Sequence, residues 1–277
     1  MLLRGAVFSL LLTLYGFIFL VQERQLQTQG QSLQIALPVS FQKITTGYLY
    51  QLASEMLFIQ ASVFLGGLQP GVPPTTYAKT LGNNFEVMTA LYPRFIDPYF
   101  FCQAFLSYIS PEDARKANTI LETGIEAFPN DFIFRFFYGT NYLLYLNEPL
   151  KGAKFFAESA KIPKAPPIFE HLAALLSAKG GDIAAGLITL KSMLAAEKDE
   201  TVRARYQQEI GIFEQAMQVN GALTAYEKKY GSSPRTLEQL VPEFLRGLPE
   251  IEDSFTLVYD PPNLRLERPD RRNKTGK

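Results

Sequence analysis

Residues Lys116 to Asp131 read KANTILETGIEAFPND. Ala117, Leu121 and Gly124 stand at offsets of 4 and 7 and so share one face of a helix, and Pro129, at offset 12, ends it. Glycine inside a helix costs about 0.5–1 kcal/mol relative to alanine. On the apolar face it therefore marks a place where a second helix must come close. Outward from this stretch, between roughly Thr45 and Leu194, the chain continues as apolar helical segments broken by Gly, Pro and Asp clusters, with no alternating strand pattern.

The pattern recurs. Before the opening stretch come Phe101, Ala104, Phe105 and Tyr108; 34 residues on stand Arg135, Tyr138, Gly139 and Tyr142. The following segment, GAKFFAESAKIP, supplies Ala153, Ala157 and Ala160; Ala153 falls two residues late, which predicts a longer turn at Leu146 to Pro149. A third copy has Phe169, Leu172, Ala173 and Leu176, then Ala185 twelve residues after Ala173, across the turn KGGD. An earlier copy pairs TGYLYQLASEMLFIQASVFLGG with YAKTLGNNFEVMTALYP, where Leu81, Phe85, Met88 and Pro93 keep the closing spacing. Helix pairs near one period are expected to stack, because no single pair can bury both its faces. The spacing resembles the tetratricopeptide repeat over about 150 residues. Phe105 departs from it, standing where that repeat usually has glycine or alanine. The resemblance implies a mainly α fold built as a TPR-like α-solenoid. Members of that family usually bind partners on the inward face of the first helices. Here that face maps to Tyr99, Cys102 and Leu106, then Ile133, Phe136 and Thr140, then Glu170, Ala174 and Ser177. So apolar a groove suits a helix or hydrophobic segment of a protein partner.

Upstream, Gly5 to Val21 carries no charge. Seventeen helical residues rise about 25 Å, close to the roughly 30 Å hydrocarbon core, and Arg4 can snorkel across the difference. An N-terminal transmembrane anchor over 1–21 is expected. The competing reading is a cleaved signal peptide, but the exit FLVQERQLQTQG puts bulky and charged residues where a small-x-small cleavage site belongs. The short basic N-terminus would stay in the cytoplasm, placing the rest across the membrane, in a bacterium the periplasm. Residues 22–44 are expected to be a juxtamembrane spacer, 45–198 the repeats, 199–268 a terminal region and 269–277 a solvated basic tail.

In the terminal region, Glu200 to Tyr230 reads as one long helix with Ile210, Phe213, Ala216 and Met217 at helical spacing, stopped by Gly231. Ser233 is expected to cap a short helix opened by Pro234, with Leu237, Leu240 and Val241 on one face. FTLVY, the turn DPPN and LRLE predict a small β-hairpin. Gly231, Pro234, Leu237, Leu240, Val241 and Pro242 resemble a segment of type II secretion pseudopilins, which implies a bacterial envelope compartment; the prepilin cleavage pattern and its glutamate are missing.

Composition narrows function further. The 27 basic and 27 acidic residues cancel, removing the broad positive field of a sequence-independent nucleic-acid binder. One cysteine, Cys102, excludes an intramolecular disulfide and a Cys-based zinc cage; one histidine, His171, excludes a His-pair metal site. Cys102 sits in apolar FFCQAFL without a basic neighbour, and is expected to be a small buried hydrophobe. No phosphate-binding loop is present, and Glu112 and Asp113 fit a helix N-terminus after Ser110 and Pro111. No cofactor, metal or small-molecule substrate is expected. The sequence points to a noncatalytic membrane-anchored scaffold or adaptor for a protein of an envelope assembly, such as a secretion or pilus system. A chaperone-like holder of exported chains, or an enzyme using His171 or Cys102, are the alternatives.

Overall fold

The computed structural model describes residues 33–251 and 254–269, with Thr13, Tyr15 and Gly16 besides. The expected anchor over 1–21, apart from those three residues, the spacer up to 32 and the basic tail from 270 lie outside the described residues. Among the described residues no helix is long and apolar enough to cross a membrane. The chain is mainly helical and ends in a two-stranded antiparallel sheet. It divides into two compact units, residues 1–124 and 125–277.

In the first unit α1 (Val39–Thr46) and a 3-10 turn (Gly47–Leu49) lead into α2 (Tyr50–Gly66), followed by α3 (Ala78–Leu91), α4 (Asp97–Phe105) and α5 (Pro111–Ala127). Residues 39–44, expected as spacer, are thus already helical. The chain ahead of α1 is held by Asn84 of α3, whose side chain accepts from the Ala36 N–H and donates to the Gln34 carbonyl, each at 2.8 Å. Leu81, Phe85 and Met88, at i, i+4 and i+7 on α3, are fully buried. They form the core against which α2 lays Ala61 and Phe64, and Ser54 on α2 donates to the Met88 carbonyl at 2.9 Å. α5 opens on a reciprocal cap: the Ser110 hydroxyl accepts from the Asp113 N–H at 3.1 Å and donates to the Asp113 carboxylate at 2.6 Å. Its buried face includes Ala117, Leu121 and Gly124, as the spacing predicts.

In the second unit α6 (Ile133–Leu144), α7 (Pro149–Ala160), α8 (Ile168–Lys179), α9 (Ile183–Ala196) and α10 (Glu200–Tyr230) each pack against the next. The expected longer turn before α7 is present, with Asn147 at φ 51. Close approach is concentrated at glycines. A Cβ on Gly139 of α6 would lie 2.4 Å from the Phe156 ring of α7, and one on Gly186 of α9 would lie 2.6 Å from the Ala174 carbonyl oxygen of α8. The small residue demanded by α9 is therefore Gly186, one position beyond the expected Ala185, whose N–H is engaged by the Asp182 cap at 3.0 Å.

α10 has the limits its sequence predicts. Asp199 accepts from the N–H groups of Thr201 and Val202, and Gly231, at φ 72, returns its N–H to the Glu227 carbonyl. Phe213 and Ala216 are fully buried in a core shared with Leu190 of α9, Ala174 of α8, and Leu240, Phe255 and Leu266 beyond α10. The short helix after Gly231 is a single 3-10 turn, Leu237–Leu240, led by Thr236. Ser233 does not cap it, because its hydroxyl is drawn back to the Glu227 carboxylate. β1 (Thr256–Asp260) and β2 (Asn263–Glu267) pair with Leu257 opposite Leu266 and Asp260 opposite Asn263 around Pro261 and Pro262. The hairpin is fastened by the Tyr259 hydroxyl, which donates to the Pro234 carbonyl at 2.8 Å, and by burial of Leu264 and Leu266.

Candidate functional site

The residues mapped to an inward groove fall into two environments. In the first unit Tyr99, Cys102 and Leu106 are fully buried. They serve its core and leave no surface for a partner. The Tyr99 hydroxyl donates to the Pro93 carbonyl at 2.9 Å, and burial pushes its phenol well above the usual range. Ala174, in the second unit, is likewise inside.

The second unit keeps the rest at or near the surface. Asp131 accepts from the Ile133 N–H at 3.0 Å and fixes the first turn of α6. That helix turns Phe134, Gly139 and Asn141 inward. Its other side presents Ile133, Phe136, Phe137 and Thr140, all half-buried, and Leu144, which is 54% exposed. Ile133, Phe136, Thr140 and Leu144 step by 3, 4 and 4, one apolar strip along the helix. Phe136 is backed by Phe156, ring centroids 6.5 Å apart, and by a small core including Phe169 and Leu176. Such backing holds the exposed part of the ring in place. Glu170 is exposed on α8 and lines a recess of about 230 Å³ with Ala165, Pro166, Met193, Glu197 and Tyr206.

The two residues weighed for catalysis are both buried. Burial pushes the Cys102 thiol well up, and the nearby Lys116 charge offsets only part of that. A thiol held protonated is a poor nucleophile. His171 places Nε2 2.7 Å from Oε2 of Glu209, and Arg268 donates to the other carboxylate oxygen at 2.5 Å. An ionised carboxylate only accepts, so Nε2 carries the hydrogen. The Tyr206 ring lies 5.8 Å from the imidazole and the Arg268 guanidinium sits over the Phe255 ring at 5.1 Å. This polar cluster joins α8, α10 and the chain just after β2. It was not foreseen, because Glu209 lies 38 residues from His171 and 59 from Arg268. Among the described residues no group of three or more His, Cys, Asp or Glu side chains is placed to hold a metal ion.

A second surface went unrecognised in the sequence. On α1, α2 and the turn between them, Ile44, Tyr48, Leu49, Leu52, Met56, Ile59 and Val63 are all exposed, Tyr48 at 99% and Val63 at 64%. Leu49, Leu52, Met56, Ile59 and Val63 step by 3, 4, 3 and 4. The signal was available, since the 17 residues of α2 include a single charge, Glu55.

Compared with known proteins, the chain matches no family model, no curated protein and no solved structure.

Proposed function

We propose that the protein is a noncatalytic, membrane-anchored scaffold whose TPR-like helical repeats hold a protein partner in a bacterial envelope assembly, such as a secretion or pilus system. The observation that carries this reading is the half-exposed apolar strip of α6, Ile133, Phe136, Thr140 and Leu144, seated on a packed aromatic core. An amphipathic helix or extended apolar segment is recognised by anchors at such spacing against a firm groove wall. The uncharged Gly5 to Val21 stretch supports the anchoring, and its lone preceding Arg4 supports a periplasmic location for the remainder. The likeness of the Gly231 to Pro242 segment to pseudopilins supports the envelope.

A photo-crosslinking residue at Thr140 of the full chain, irradiated in native membranes, should give one discrete adduct. Its yield should fall in Phe136→Ala and in Leu144→Ser chains that retain their helical circular dichroism. A diffuse ladder of adducts, or a discrete one indifferent to both substitutions, would count against a dedicated partner at this face.

A further inference from the structure

We propose that the outward face of α1 and α2 lies in the interfacial layer of a phospholipid bilayer, the one that Gly5 to Val21 would enter. The inference rests on the anchoring reading above. Its first support is composition. Leu49, Leu52, Met56, Ile59 and Val63 form a continuous exposed strip on α2, extended by Ile44 and Tyr48. Soluble monomers rarely expose contiguous apolar patches beyond a few hundred Å², and larger ones mark interaction or membrane surfaces.

The flanks of the strip decide between lipid and a second helix. A two-helix seam with this 3-4 spacing leaves its flanking positions in water, where Glu and Lys pairs set partner and register. Here the flanking positions are Ala53, Glu55, Gln60 and Ser62, a single charge with no opposite to meet. Flanks that carry Glu55 as their single charge are suited to the headgroup layer. So are Tyr48 and Tyr50, exposed at the leading end of α2, because tyrosine rings favour the membrane–water boundary. Lys43 on α1, also exposed, can meet lipid phosphate.

The tether supplies the second support. Only the residues from Gln22 to Gln34 separate Val21 from Ile35, and no chain of that length reaches farther than about 45 Å. The apolar surface begins at Ile35, directly after it. A chain so tethered meets the bilayer at high effective concentration, and a weak apolar contact is then enough to keep the face docked.

The test uses the full chain in phosphatidylcholine and phosphatidylglycerol vesicles, with an environment-sensitive fluorophore on Leu52→Cys, Ile59→Cys or Val63→Cys, and on Thr119→Cys of α5 as reference. Cys102 is buried and stays in place; the unsubstituted chain gives the labelling blank. Labels on α2 should shift to the blue, lose intensity to bromine-bearing acyl chains and be shielded from aqueous iodide, whereas the Thr119→Cys label should behave oppositely. Labels open to iodide and untouched by brominated lipid would overturn the proposal. So would labels shielded from iodide yet unaffected by brominated lipid, the outcome for a face covered by a second copy. Quenching is read before an alkaline wash. Loss of the chain in that wash refutes the anchor, whereas a retained chain with unquenched labels refutes only the docked face.

Discussion

Gly186→Ala separates close helix packing from local helix preference. At Gly186 a Cβ would stand 2.6 Å from the Ala174 carbonyl oxygen and 2.7 Å from Cε1 of Phe213. The first obstacle is backbone, so no side-chain rotation clears it, and Phe213 is fully buried. Relief requires α8 and α9 to move apart. Overpacking of this kind costs about 1–3 kcal/mol. Alanine returns about 0.5–1 kcal/mol over glycine in a helix interior. Against a backbone obstacle the overpacking cost lies in the upper half of its range, about 2–3 kcal/mol, so the net expectation is a loss of about 1–2.5 kcal/mol. For a unit of this size that lowers the melting temperature by about 3–6 °C. Gly211 and Gly221, both exposed on α10 with nothing within 4 Å of where an added methyl would stand, are the controls. Gly211→Ala and Gly221→Ala should each stabilise by about 0.5–1 kcal/mol. The assay is thermal unfolding of the detergent-solubilised chain followed by far-ultraviolet circular dichroism. A Gly186→Ala chain melting at or above the wild type, alongside stabilised controls, would refute the close approach of α8 and α9.

Glu209→Ala leaves His171 buried without its acceptor and should cost about 3 kcal/mol, the lower end of what breaking a buried pair costs, because Arg268 is half-exposed and can turn to water. The double change His171→Leu with Glu209→Met should be less damaging than Glu209→Ala alone; urea unfolding of the two chains measures this, and a double change at least as damaging would show that the cost is not that of a stranded partner. Cys102 should resist thiol reagents in the native chain. A free cysteine ionises near about pH 8.5, and since burial raises this thiol, its labelling should stay low as pH rises through that value and appear only on unfolding; labelling that climbs with pH in the native chain would contradict the burial. Asn84→Ala removes both hydrogen bonds that hold residues 34 to 36 and should cost about 1–3 kcal/mol, with faster amide exchange at Ala36 as the local readout.

How far the sequence carries depends on whether the signal is local. The limits of α10 are readable because Asp199 and Gly231 act on their own helix, and the hairpin because its alternation and its Pro-Pro turn are contiguous. α5 is readable for the same reason, with Ser110 and Asp113 at one end and Pro129 past the other. Which side of a helix faces inward is a different matter. Tyr99 and Leu106 lie at the same helical spacing as Ile133 and Thr140, yet the first pair is fully buried and the second half-exposed, since neighbouring elements decide it. Gly186 took the place expected of Ala185 because the capped turn through Gly181 and Asp182 sets where α9 meets α8, and a repeat count cannot see a shift of one residue. Apolar residues fall on every side of α2, so periodicity could not tell its buried face of Ser54, Ala61 and Phe64 from its exposed one.

Among the described residues, the distribution of polar groups supports the proposed surface recognition. A small-molecule site is typically a concavity of about 300–1,000 Å³ where a few polar groups converge on the ligand. The recess beside Glu170 falls below that range at about 230 Å³. The recess beside β1, at about 380 Å³, reaches it, and is lined by Leu237, Leu248, Ile251, Phe255 and Leu257, with no charged side chain among the described residues. Glu209, the buried carboxylate among the described residues of the second unit, has both oxygens engaged by His171 and Arg268 and holds the segment after β2 to α8 and α10. Its chemistry is consumed in that attachment. α6 and α2 instead present apolar side chains at helical steps along their exposed sides, and α10 turns Glu200, Arg205, Glu214, Lys228 and Lys229 to water. A helix whose exposed side carries as many apolar side chains as that of α2 leaves an unfavourable contact with water, and the contact is relieved when another apolar phase covers it. The exposed strips of α2 and α6 are therefore where substitutions that leave the fold intact test the proposed bilayer contact and the proposed partner.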